Sequence, residues 1–137
     1  MTDPEATKTL HETMPLCATL GMRADRFLAE EVVLALDWDP SLCTSNAMLH
    51  GGVVMALADS AGGACAFLNL PPGAAGTSTI ESKTNFLGAI REGTVRASAR
   101  PLHVGRSTIV IETEVRAGED KLVAKVTQTQ TVLSARS

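Results

Sequence analysis

The chain has 137 residues, 45% of them hydrophobic and 20% charged, with 12 lysines and arginines against 15 acids for a formal net charge of −3. This length accommodates one domain and excludes two independent cores, and the composition excludes a disordered or collagen-like chain. The acidic balance removes any general attraction to nucleic acid or an anionic membrane surface, so an anionic ligand must be met by locally placed cations.

Three cysteines, Cys17, Cys43 and Cys65, are odd in number and lack Cys-x-x-Cys spacing. Neither a disulfide framework nor a structural zinc site is expected, and a reducing cytoplasm is the expected location. The start, Met1-Thr2-Asp3-Pro4-Glu5, has none of the basic and then apolar pattern of a signal peptide. His11 and His103 show no metal-ligand spacing, so no metal is expected.

In chain order, Asp3-Pro4-Glu5 reads as a helix cap, a first-turn proline and a first-turn acid, and Thr13 to Leu20, ending at Gly21, as a second short helix. Arg26 to Trp38 is rich in Val, Leu and Phe and stops at Asp39-Pro40-Ser41, which predicts a strand. A loop leads to His50. From Val53 to Leu68 nearly every residue is small or apolar with no polar stripe, the pattern of a helix surrounded by protein. This run contains Asp59 and falls short of the roughly 20 residues of a membrane span, so it is read as a core element. Asn69 and Pro71-Pro72-Gly73 end it.

Four strand-like stretches follow, at Thr77 to Phe86, Thr94 to Leu102, Arg106 to Arg116 and Lys121 to Leu133. The third alternates most clearly, with Ile109, Ile111, Thr113 and Val115 on one face. Their short connections predict an antiparallel meander, giving the order β-α-β-β-β-β after the N-terminal helices. The expected class is α+β: a curved antiparallel sheet wrapped around one long buried helix, with a second subunit covering what the sheet leaves open. A single domain is expected over residues 1–137, with its core at about 26–133.

Asp59 requires a reason, because a carboxylate in an apolar helix costs several kcal/mol in desolvation unless partners compensate it. At helical spacing it shares a face with Gly52, Met55, Ala56, Gly62, Gly63 and Ala66. Glycine costs about 1 kcal/mol relative to alanine inside a helix, so something must approach that face closely. Two readings are open: a tightly packed neighbour with Asp59 hydrogen-bonded to it, or a narrow ligand slot with a carboxylate inside. His50-Gly51-Gly52 at the helix start favours the slot. Unpaired N–H groups and the positive dipole end there suit a carbonyl oxygen acquiring charge, and two glycines let a substrate reach them. His50 itself is read first as a group that caps or orients the loop. Ser60 lacks the Gly-x-Ser-x-Gly elbow of a serine hydrolase, and Cys65 is read as a small core residue.

Leu49-His50-Gly51-Gly52-Val53 followed by Ala56-Leu57-Ala58-Asp59-Ser60-Ala61 resembles the signature of hotdog-fold thioesterases of the phenylacetate-pathway (PaaI-like) type. Glu81-Ser82-Lys83-Thr84-Asn85-Phe86-Leu87 resembles the next strand of that family, and His103-Val104-Gly105-Arg106 a later turn. The resemblance implies hydrolysis of an acyl-coenzyme A thioester to a carboxylic acid and free coenzyme A, with no cofactor, coenzyme A being part of the substrate. It implies that Gly51 donates its N–H to the thioester carbonyl and that Asp59 attacks the carbonyl or activates water. It also implies a homodimer or dimer of dimers in which the loop of one subunit faces the acid of the other. Where the family often has Asn or Gln six residues before the histidine, this chain has Thr44, with Asn46 nearby. Thr79 occupies a position where some relatives place a hydroxyl that assists the acid.

Gly52, Met48, Met55 and Phe86, together with Leu49 and Phe67, are expected around the substrate, and Arg91, Arg100 and Arg106 are candidates for the coenzyme A phosphates. The partner expected is thus an acyl-CoA, with neither nucleic acid nor membrane. Two other readings of the scaffold are a non-hydrolytic acyl-CoA-binding protein and a hotdog 3-hydroxyacyl dehydratase.

Overall fold

The computed structural model describes residues 1–135, so the last two residues of the expected 1–137 domain lie outside the described residues. Helix α1 spans Pro4–Thr13 and begins as read, with Asp3 Oδ1 accepting the Ala6 N–H at 3.1 Å. Helix α2 spans Pro15–Thr19, and Gly21 leaves it at φ +75°, a conformation glycine adopts without steric cost.

The stretch predicted as a single strand is a hairpin of β1 (Arg23–Leu28) and β2 (Glu31–Asp37). Leu28 pairs with Glu31, leaving Ala29 and Glu30 as the turn. Neither residue has positive φ, so the reversal needs no glycine or asparagine and leaves no mark in the sequence. The long helix α3 (Gly51–Leu68) is followed by β3 (Ala74–Phe86), β4 (Thr94–Val104), β5 (Thr108–Ala117) and β6 (Lys121–Ser134).

All six strands form one antiparallel sheet in the order β1-β2-β4-β5-β6-β3. Only β4, β5 and β6 form a meander. The predicted neighbour of β4, strand β3, instead pairs with β6 at the far edge of the sheet. Residues 87–93 carry the chain across: the Leu87 N–H bonds to the Val123 carbonyl at 2.8 Å, and the Ile90 carbonyl accepts from Leu49 at 2.8 Å, just before α3 begins. Seven residues thus suffice to cross the sheet end.

The inner sheet face packs on α3. Val95, Ala97, Ala99, Ile109, Ile111, Thr113 and Val115 are fully buried, as is Leu57 of the helix. A long helix cradled by a curved antiparallel sheet is the expected hotdog arrangement. The helix is covered on one side only, however. Gly52, Met55, Asp59 and Phe67 face outward, with Met55 41% and Phe67 59% exposed. Along edge strand β3, Ile80 and Phe86 are 63% and 52% exposed.

The outer sheet face is charged. Arg100 grips Glu31 at 2.8 Å, and Lys125 lies 3.0 Å from Glu112. Burial opposes ionisation of Glu31, but hydrogen bonds from Ser98 and Arg100 and the charges of Arg100 and Arg26 outweigh it and hold its carboxyl below the ordinary range.

Candidate active site

The loop before α3 is tightly tied. Thr44 N–H bonds to the Met48 carbonyl at 2.8 Å and His50 N–H to the Leu42 carbonyl at 2.9 Å. Between them Asn46 and Ala47 both adopt left-handed backbone, at φ 60° and 57°. Asparagine tolerates that region and alanine enters it only at an energetic cost, so the loop holds local strain at Ala47. The Trp38 indole N–H pins the Ala47 carbonyl at 3.0 Å.

His50 is the N-cap of α3. Its Nδ1 accepts the Gly52 N–H at 2.8 Å, so the ring carries its proton on Nε2. A Cβ on Gly52 would lie 2.9 Å from Nδ1, and glycine is what lets the ring fold back. The Val53 and Val54 N–H groups both reach the His50 carbonyl, at 2.9 and 3.2 Å. Of the two glycine N–H groups expected to be open, Gly52 is therefore occupied. Gly51 alone in this first turn has no acceptor among the described residues. The Phe86 ring lies against Gly51, with its Cζ 3.3 Å from where a Cβ would stand. Gly51, Thr44, Met48 and Phe86 line a cavity of about 270 Å³, whereas Asn46 is outside it.

Asp59 is not the buried charge that the apolar run predicts: it stands exposed on the open face of α3. It is nonetheless held. Its Oδ1 accepts from Thr79 Oγ1 at 3.1 Å and from Gln128 Nε2 at 3.2 Å, and Gln130 Nε2 donates to Thr79 Oγ1 at 2.6 Å. Oδ2 accepts nothing among the described residues. Asp59, Thr79, Gln130, Gly63 and Phe67 belong to a second cavity, of about 530 Å³ and largely apolar walls, that extends to Met14 beneath α1.

Gln128 and Gln130, 0% and 1% exposed, were missed from sequence. The alternation Val126-Gln128-Gln130-Val132 carried the signal, because it sets two carboxamides on the strand face that elsewhere is apolar. Their positions also divide the two glycines. Gly62 is buried, and a Cβ there would overlap the Gln128 carboxamide oxygen, whereas a Cβ on Gly63 meets nothing within 4 Å. The close neighbour that Gly62 admits is thus a side chain of the same sheet. Gly62→Ala is expected to lower stability by about 1–3 kcal/mol through overpacking, and Gly63→Ala to raise it by up to about 1 kcal/mol through helix propensity. Thermal unfolding midpoints moving in opposite directions would bear this out.

Among the other candidates, Met55 sits on the open helix face with Asp59. Arg91 and Arg106 are exposed and make no ion pair among the described residues. Arg100 is engaged by Glu31 on the outer sheet face, where it lines a further cavity of about 280 Å³ with Arg96 and Arg116, apart from the two that hold Gly51 and Asp59. Burial, aided by the charge of Glu31, pushes the Cys65 thiol up to about 11, and burial likewise raises Cys17, so neither forms a ready thiolate. No three His, Cys, Asp or Glu side chains among the described residues gather closely enough to hold a metal ion.

Comparison with known proteins identifies the family and the fold. Residues 46–124, from the strained loop through β5 into β6, match the thioesterase superfamily. ComA2 of Bacillus subtilis (strain 168), an esterase by name, is 32% identical over 108 residues, covering 79% of this chain and 86% of its own length. A thioesterase family protein from Silicibacter pomeroyi superposes with a TM-score of 0.86 at 31% identity, covering 94% of this chain and 96% of that one. Thioesterase HI1161 from Haemophilus influenzae gives 0.82 at 28% identity, covering 91% and 90%. In sequence and in fold, the chain belongs to the thioesterase superfamily.

Proposed function

We propose that the chain hydrolyses acyl-coenzyme A thioesters in the manner of the PaaI-like hotdog enzymes, with Gly51 and Asp59 as the groups that meet the thioester. One observation carries the reading: a helix-end N–H left without an acceptor is matched by a carboxylate with one oxygen held and the other free. The Gly51 N–H would donate a hydrogen bond to the carbonyl oxygen as negative charge develops there, reinforced by the helix dipole and shielded from water by Phe86. Asp59 Oδ2 would attack the carbonyl carbon or take the proton of an attacking water. In both routes water is consumed, the carbon–sulfur bond breaks, and a carboxylic acid and coenzyme A thiol leave. No cofactor enters.

Gly51 and Asp59 lie eight positions apart along α3, about 12 Å at 1.5 Å per residue, too far for both to touch one carbonyl. This spacing, the open apolar face of α3 and the free edge of β3 support a homodimer, alone or paired into a tetramer, in which Gly51 of one subunit meets Asp59 of the other. The largely apolar cavity of about 530 Å³ beside Asp59 suits the acyl group. Met48, Met55 and Phe86 would wall the approach, and Arg91 and Arg106 are free to meet the phosphates. Thr44 takes the polar loop role in preference to Asn46, since it lines the cavity of Gly51. Three free cysteines suit a reducing cytoplasm.

The test is thiol release from a panel of aliphatic and aryl acyl-CoA esters by the purified protein. Turnover of at least one ester is expected. Binding without thiol release would make the chain an acyl-CoA-binding protein, and hydration of an enoyl-CoA without thiol release would make it a dehydratase.

A further inference from the structure

We propose that Gln128 and Gln130 of β6 are positioning residues that aim Asp59, acting through a one-way hydrogen-bond relay that fixes Oδ1 and presents Oδ2 to the reaction. This rests on the reading of Asp59 as the reacting carboxylate. The buried polar residues of the described chain are few, namely Ser60, Thr113, Gln128 and Gln130. Two of them stand side by side on one strand face and converge on one carboxylate. Burying a carboxamide is unfavourable unless its hydrogen bonds are made, so two adjacent ones require a common cause.

The donor and acceptor inventory dictates the direction of the relay. A threonine hydroxyl has one proton to give and lone pairs to receive, a carboxamide nitrogen only gives, and an ionised carboxylate only receives. Gln130 Nε2, 2.6 Å from Thr79 Oγ1, therefore fills a lone pair of the hydroxyl, and the hydroxyl proton turns to Asp59 Oδ1 at 3.1 Å. Gln128 must likewise offer its nitrogen to Oδ1, at 3.2 Å, and its oxygen is then turned inward against Gly62, where it has no partner. A buried carboxamide oxygen left unpaired is costly. The orientation persists because the carboxylate demands the other end of the group, and Gly62 supplies the space for the oxygen that is left over.

Both bonds end on the same oxygen. An exposed aspartate would otherwise rotate freely about its last torsion and offer either oxygen in many directions. Held at Oδ1 from the sheet side, the carboxylate projects Oδ2 from the open helix face, where the second cavity and the expected second subunit lie. Orientation of this kind acts on the chemical step more than on substrate affinity.

The experiment is a double-mutant cycle on acyl-CoA hydrolysis, with kcat and KM measured for wild type, Gln130→Met, Thr79→Val and the double variant. Each single variant should lower kcat by about 10- to 100-fold with KM little changed. The double variant should be no worse than Thr79→Val alone, because without the hydroxyl Gln130 has nothing to orient. Thr79→Ser, which keeps the hydroxyl, should recover most of the loss. If the single effects multiply, if KM changes in place of kcat, or if serine is as poor as valine, the glutamines only hold β3 to the sheet and the relay is wrong. Thr79 is exposed, so its valine and serine variants read the hydroxyl link in a folded protein, and should Gln130→Met unfold, Gln130→Asn, polar but one methylene too short to reach the hydroxyl, takes its place in the cycle with the same expected results. Wild-type turnover that is abolished by Asp59→Asn but untouched by Gln130→Met overturns the relay alone. No turnover by the wild type overturns the reading of Asp59, and the relay with it.

Discussion

Asp59→Asn is expected to reduce thiol release by about 10²- to 10⁴-fold, the range over which a positioned proton-transfer group contributes, while leaving the thermal unfolding midpoint close to that of the wild type. The substitution is isosteric, and the asparagine oxygen can still accept from Thr79 and Gln128, as Asp59 Oδ1 does at 3.1 and 3.2 Å. What disappears is the second oxygen, replaced by an NH₂ that can neither attack a carbonyl nor accept a proton from water. Because the residue is exposed, no buried charge is removed, and a loss of activity cannot be ascribed to a loosened core. A variant that kept more than a tenth of the wild-type kcat would remove Asp59 from the chemistry.

A second expected result concerns where the two halves of the site meet. Chains carrying Asp59→Asn and chains carrying Gly51→Val, co-expressed with different affinity tags and purified through both, should regain about half the wild-type activity per dimer if the site is shared across a two-fold axis. One site of such a heterodimer combines an intact Gly51 with an intact Asp59, and the other carries both defects. If each chain held its own complete site, every site would carry one defect, and the heterodimer would be as inactive as its parents. The roughly 12 Å between the two residues along the helix leads us to expect recovery.

The parts of this arrangement that were readable in the sequence are those fixed by local rules. The small, apolar run after His50-Gly51-Gly52 marked α3 to within two residues at its start, and Asn69 marked its end. The alternation of Ile109, Ile111, Thr113 and Val115 named the inward face of β5 correctly. What escaped depends on which strands become neighbours. A seven-residue connection serves equally for an adjacent hairpin and for the crossing that places β3 beside β6. The engagement of Arg100 by Glu31, 69 residues away, exists only because β2 lies against β4. The exposure of Asp59 was hidden for a related reason, since an apolar helix face looks alike whether its cover comes from the same chain or from a second copy. The tie of Gln130 to Thr79, and through it to the acid, needed the β3–β6 register, in which these two residues stand opposite each other.

The loop that delivers Gly51 has one further property. The chain contains one tryptophan and no tyrosine, and that tryptophan, Trp38, gives its indole proton to the Ala47 carbonyl at the strained turn before α3. Its near-ultraviolet emission therefore arises from a single indole whose hydrogen bond is made to the loop before α3 itself. Any rearrangement of that loop, on ligand entry or on assembly of two chains, acts directly on the one strong chromophore of the sequence, so the molecule carries its own optical gauge of the segment that leads into Gly51.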